Sequence, residues 1–121
     1  MIIYFSGTGN SLRVAQSLAH TLQDELYDIE SAVPMRPIQQ GETLGVIFPV
    51  YAWGLPAIVE QFLTMHIVPL IKGETAGERY LWAVMTCGDD MGYTDRVLAK
   101  VLGRGDDATF SVQMPNTYVC R

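Results

Sequence analysis

Two kinds of apolar pattern alternate along the chain. The first is the short continuous run: Met1-Ile2-Ile3-Tyr4, Leu44-Gly45-Val46-Ile47-Phe48 and Tyr80-Leu81-Trp82-Ala83-Val84-Met85. Continuous rather than alternating apolarity predicts strands buried on both faces, as in a parallel sheet. Trp82, in mid-strand, is predicted to be core or an inter-helix contact. The second pattern is helical. From Leu12 to Leu22, the residues Leu12, Ala15, Ala19 and Leu22 fall near one face, widened by Val14 and Leu18, with Arg13, Gln16 and Ser17 opposite. Pro56 suits the first turn of a second helix, carried by Ile58, Val59, Phe62 and Leu63 and expected to end near His66, before Pro69. Val97, Leu98, Val101 and Leu102 mark another, closed by Gly103 or Gly105. Glu25 to Ile29 reads as a parallel strand whose acidic alternation marks a sheet edge, and Ala108 to Met114 reads as a fifth strand. Glu30 to Gly41, with Pro34 and Pro37, has no helical period and is a connection. Lys72 to Arg79 is polar, with Gly73 and Gly77, and reads as a surface loop.

Strands and helices in alternation define a doubly wound α/β domain. Three polar loops then gather at the carboxyl ends of parallel strands: Ser6–Ser11, Val50–Leu55 and Thr86–Tyr93. Open sheets of this kind bind ligands there, at the point where strand order reverses.

Composition narrows the class. A length of 121 residues, 49% hydrophobic, gives one domain with a real core. A net charge of -5 argues against nonspecific nucleic-acid or anionic-membrane binding and permits a basic protein partner. No apolar stretch is long enough to span a bilayer. The start lacks a basic leader, so export is not expected and the cytosol is the default. Cys87 and Cys120 are too few for a disulfide framework or a four-thiolate metal site.

The first loop carries the most chemistry. In Ser6-Gly7-Thr8-Gly9-Asn10-Ser11, a strand passes into a helix whose first N–H groups and dipole favour an anion. Ser6, Thr8 and Ser11 add hydroxyls and Asn10 an amide, while Gly7 and Gly9 let the backbone close around a ligand. Neither a dinucleotide fingerprint nor a P-loop is present, and the loop has no Lys or Arg. Such a site suits a phosphate monoester held by neutral donors; turn formation and helix capping are the plainer roles of the same residues. Cys87 lies outside this cradle, so a thiol-phosphatase reading fails; a small buried residue is the better one. Asp89 and Asp90 lack further ligands at metal-binding spacing and read as a capping pair. His20 and His66 have no motif around them.

Together the three loops resemble those of the flavodoxin family. Ser6 to Ser11 resembles its phosphate loop, a Ser/Thr-x-Thr-Gly-x-Ser/Thr pattern around the FMN phosphate. Pro49 to Pro56 resembles the loop over one side of the isoalloxazine, and Cys87 to Asp95 the second flavin loop. The resemblance implies a flavodoxin-like sheet in the order 2-1-3-4-5 and FMN as cofactor. It implies phosphate contacts from Ser6, Gly7, Thr8, Gly9, Asn10 and Ser11. Trp53 is the preferred ring-face residue, because an indole in a loop calls for something flat against it; Tyr51 competes for that place and otherwise meets an edge. Ala52 and Gly54 complete this loop, and a peptide at Gly54 could turn its carbonyl toward the flavin N5. Cys87, Gly88 and Asp89 line the ring, and Tyr93 matches the stacking tyrosine.

The resemblance covers Met1 to about Met114. It is strongest to flavodoxin-like domains of anaerobic bacteria and archaea in which a two-cluster ferredoxin module can follow the flavin domain. An FMN-binding carrier passing electrons between redox proteins is the leading implication. An NAD(P)H-dependent flavin or quinone reductase, and a docking module with a degenerate flavin site, remain alternatives. Flavodoxins usually place a fifth helix after the fifth strand, beside the first helix; seven residues follow Met114 here. The expectation is therefore a sheet face with one helix where two are needed, exposing Val46, Phe48, Val84 or their neighbours, depending on the pleat. The chain would then be an excerpt, or a subunit that pairs with a copy of itself through that face.

Overall fold

Two apolar runs form the centre of the sheet: β3 (Leu44–Pro49) and β4 (Leu81–Thr86), every residue of both buried. Around them run β1 (Ile2–Tyr4), β2 (Leu26–Asp28) and β5 (Ala108–Val112). In this computed structural model the residues described are 1–5, 10–49, 55–74, 79–86, 91–103 and 108–112; for 10, 91–95 and 109–112 the backbone alone is described. The sheet is parallel throughout, in the order β2-β1-β3-β4-β5. The acidic strand β2 lies at an edge, as its sequence implies.

The pleat sorts side chains onto two faces. Ile2, Ile47, Trp82 and Val84 meet α1 (Asn10–Leu22) through Ala15, with Val14, Leu18 and Ala19 around it. Met1, Ile3, Leu44, Val46, Phe48, Leu81, Ala83 and Met85 face the other way. There they pack on α2 (Ala57–Phe62), a π-helical turn (Leu63–Ile67), α3 (Val68–Ile71) and α4 (Met91–Leu102).

Several expectations are corrected. Val46 and Phe48 are buried, at 2% and 0% exposure, because the pleat turns them under α2–α3 and α4. Val84 does lie on the α1 face, yet it too is buried, packed with Ile47 and Trp82. The indole of Trp82 lies across its register partner Gly45: a Cβ there would stand 2.0 Å from Trp82 Cζ2. An aromatic ring thus spreads over the strand that a smaller residue would have left bare. Leu22, the last residue of α1, is exposed. The helix after β3 does not stop at His66. Its N–H of Val68 bonds to the carbonyl of Leu63, five residues back, and the widened turn admits Pro69 without a break. Residues Val59, Leu63, Ile67 and Ile71 stay buried along it. Ile58, expected on that stripe, is half-exposed. Gly103, not Gly105, closes α4: its φ is 77° and its N–H bonds to the Ala99 carbonyl at 2.9 Å.

The amino ends of the strands are tied by charge. Arg36 bonds to Glu42 through Nη1 and Nη2 at 3.0 and 2.6 Å, and to Glu25 through Nε at 2.9 Å. The α-amino group of Met1 donates to Asp24 at 3.0 Å, Glu42 at 3.1 Å and the Thr43 carbonyl at 3.0 Å. Arg79 was expected in a surface loop but is 2% exposed. Its guanidinium holds Glu74 through Nε and Nη2 and reaches back to the carbonyls of Gln39 and Glu42.

The Arg36 hydrogen bonds hold the Glu42 carboxyl well below the usual carboxylate range, with burial opposing and the Gln39 N–H and Met1 ammonium assisting. A depressed folded pKa stabilises the fold above the unfolded value near ~4.3 and loses that contribution as pH falls toward the folded value. Glu42→Gln should therefore cost roughly 1–2 kcal/mol at neutral pH. The cost should shrink as pH falls below about 4.5, measured by urea unfolding across pH. A cost that stays constant down to acid pH would remove Glu42 from the pH response.

Candidate functional site

At the opposite edge, three adjacent strands end side by side. β1 closes at Tyr4, β3 at Pro49 and β4 at Thr86, and α1 and α4 begin at Asn10 and Met91 above them. Chain direction divides here: from β1 the sheet grows one way to β2 and the other to β3 and β4. This is the crevice where open α/β sheets hold ligands. The three loops singled out in the sequence all depart from these ends.

One side-chain contact fastens the crevice. Ser11, in the first turn of α1, lies 3.1 Å, Oγ to Oγ1, from Thr86, the last residue of β4. They are 1% and 0% exposed and 75 residues apart. The helix start is thereby fixed to the end of a central strand. Of the expected site residues, Ser11 alone has a described side chain. Asn10 is the first residue of α1, and Tyr93 lies in the first turn of α4 rather than in the loop before it; of both only the backbone is described. Ser6, Gly7, Thr8, Gly9, Tyr51, Ala52, Trp53 and Gly54 lie outside the described residues, as do Cys87, Gly88 and Asp89. Thr86 was read only as the opening of a loop. Its partner lies too far away in sequence for any local pattern to reveal the pair.

Beside the crevice, at the ends of β1 and β2, Tyr4 is aligned with Asp28. Burial, the Asp28 charge and a hydrogen bond to its carboxylate raise the Tyr4 phenol above its ordinary pKa, so it stays protonated. Beyond β2 an open cavity of about 620 Å³ lies between residues 27–38 and the helix after β3, with Tyr27, Phe62 and His66 in its wall. Its polar groups are largely occupied. Tyr27 donates to the Val33 carbonyl at 2.6 Å, Arg36 is held by two carboxylates, and His66 stacks on Phe62 at 4.7 Å. Among the described residues no helix is long and apolar enough to cross a membrane.

Sheet order, helix placement and a crevice at the strand carboxyl ends define a doubly wound α/β domain. Residues 1–88 match the family model described as the flavodoxin domain, and the chain belongs to that family. Among solved structures, a Bacteroides eggerthii protein described as a "putative flavoprotein" aligns at 19% identity with a TM-score of 0.61, over 93% of this chain and 86% of that one. A second, from Bacteroides uniformis and described in the same words, aligns at 16% identity with a TM-score of 0.61, over 93% and 87%. At such identities the likeness speaks for the fold. No curated protein matches the chain.

Proposed function

We propose that residues 1–121 form one FMN-binding domain that carries electrons between redox proteins. The observation that carries the reading is the fastening of the α1 start to the end of β4. It puts a helix N-terminus, with a buried hydroxyl pair, beside the three strand ends from which the flavodoxin-like loops depart. That pair suits an anion, because its hydroxyls carry more protons than they use on each other. In this reading Ser6, Thr8, Asn10 and Ser11 hold the phosphate, with Gly7 and Gly9 allowing close approach of the backbone. Trp53 and Tyr93 flank the ring, and Tyr51, Ala52, Gly54, Cys87, Gly88 and Asp89 meet its edges. FMN, when bound, supplies the electron chemistry through its isoalloxazine. The chain's residues bind it, exclude water and set the surrounding field. No side chain is required as acid, base or nucleophile. The acidic surface suits a basic or locally basic redox partner, and a ferredoxin module is one candidate.

The test is flavin titration of the purified chain with fluorescence detection. FMN should bind at least about tenfold more tightly than riboflavin, because charge-assisted hydrogen bonds to phosphate contribute about 1.5–3 kcal/mol. Failure to retain FMN after soaking would overturn the reading. Rapid reduction of bound FMN by NAD(P)H alone would make the chain a reductase instead of a carrier.

A further inference from the structure

Ser11 and Thr86 hold two hydroxyl protons and share one hydrogen bond. Neither hydroxyl has another partner among the described residues, and both side chains are essentially inaccessible to water. Among the described residues one O–H is therefore left without an acceptor, and a buried donor without an acceptor is costly. Which proton is left over depends on the direction of the shared bond. If Ser11 donates to Thr86, the surplus proton belongs to the strand residue. If Thr86 donates to Ser11, the surplus proton belongs to a hydroxyl in the first turn of a 13-residue helix. There the helix dipole and unpaired N–H groups favour an anion. Among the described residues, only the second arrangement gives each proton an acceptor once an anion is present. A chain of hydrogen bonds ending on a charge also strengthens each member.

We propose that Thr86 is a positioning residue for the phosphate monoester: its hydroxyl donates to Ser11 Oγ and directs the Ser11 O–H to the anion at the start of α1. Its effect passes through Ser11. The inference rests on the FMN reading above and adds to it a residue from a different strand, outside the phosphate loop.

The direction of the bond makes the test decisive. Thr86→Val keeps the shape and removes the donor; Thr86→Ser keeps the donor. Thr86→Ala serves in place of the valine variant should that one not fold. Dissociation constants for FMN and for riboflavin are measured on the full chain, with thermal unfolding alongside. Thr86→Val should weaken FMN about tenfold, leave riboflavin unchanged and be rescued by Thr86→Ser. Unchanged or tighter FMN binding would overturn the proposal, since Ser11 would then have been the donor or the pair purely structural. Equal weakening of both flavins, or a serine variant that behaves like valine, would also overturn it. A wild-type chain that does not prefer FMN to riboflavin sinks the FMN reading itself, and that failure is visible before any variant is made.

Discussion

Arg79→Met should destabilise the fold by about 3–5 kcal/mol, a large share of the ~5–15 kcal/mol typical of a domain. The guanidinium is 1% exposed and meets Glu74, itself 11% exposed, at 2.6 Å. Removing it strands a largely buried carboxylate. It also leaves the carbonyls of Gln39 and Glu42 without their side-chain donor, just before β3 begins. Two parts of that cost can be separated. Arg79→Met with Glu74→Met removes the stranded charge, and apolar replacement of a whole buried pair is often close to neutral. In the double variant the Gln39 carbonyl keeps the Glu42 N–H as a donor but the Glu42 carbonyl loses the guanidinium, so recovery should be partial. Urea unfolding followed by tryptophan fluorescence reads both, provided the slope is unchanged. A single variant within about 1 kcal/mol of wild type would show the pair to be dispensable, as exposed pairs often are.

Gly45→Ala should cost about 3 kcal/mol, at the upper end for overpacking in a core. Three atoms of the Trp82 indole lie 2.0 to 2.5 Å from where the new Cβ would stand. They belong to a rigid ring that is 7% exposed, so relief requires the whole side chain or the strand to move. Trp82→Leu in the same background should recover part of the loss, because a smaller side chain opens the space above Gly45. Thermal unfolding of the two single variants and the double variant forms a cycle. Additive effects would mean that the ring and the methyl group do not meet.

What could be read from sequence follows from where each constraint lies. β3 and β4 were readable because a strand buried on both faces must be apolar throughout, and Leu44 to Phe48 carries that requirement in adjacent residues. The edge position of β2 was readable from its acidic alternation. The burial of Arg79 was not, since its acceptors include carbonyls about 40 residues earlier and its neighbourhood is polar with glycine. Pro69 misled because a proline normally stops a helix, and the π-helical turn that accommodates it has no marker in sequence. The face expected to be bare depended on the pleat and on the reach of one indole, neither of which composition records. At the crevice, the loops were recognisable as motifs, and the position of their flanking strand ends agrees with that recognition. Thr86 escaped notice because its meaning comes from Ser11, across 75 residues.

The helix that follows β3 has a hydrophobic step of four: Val59, Leu63, Ile67, Ile71. A regular α-helix of about 3.6 residues per turn would advance such a stripe by about 40° at every step and carry its end off the sheet. The π-helical turn takes up that excess. Length is thereby frozen in this segment: removing one residue between 63 and 67 would swing Ile71 by about 100°, away from the core. Insertions and deletions in the lineage of this chain should therefore accumulate in the irregular stretch from 29 to 43, where no stripe has to be kept in phase, and should spare the helix.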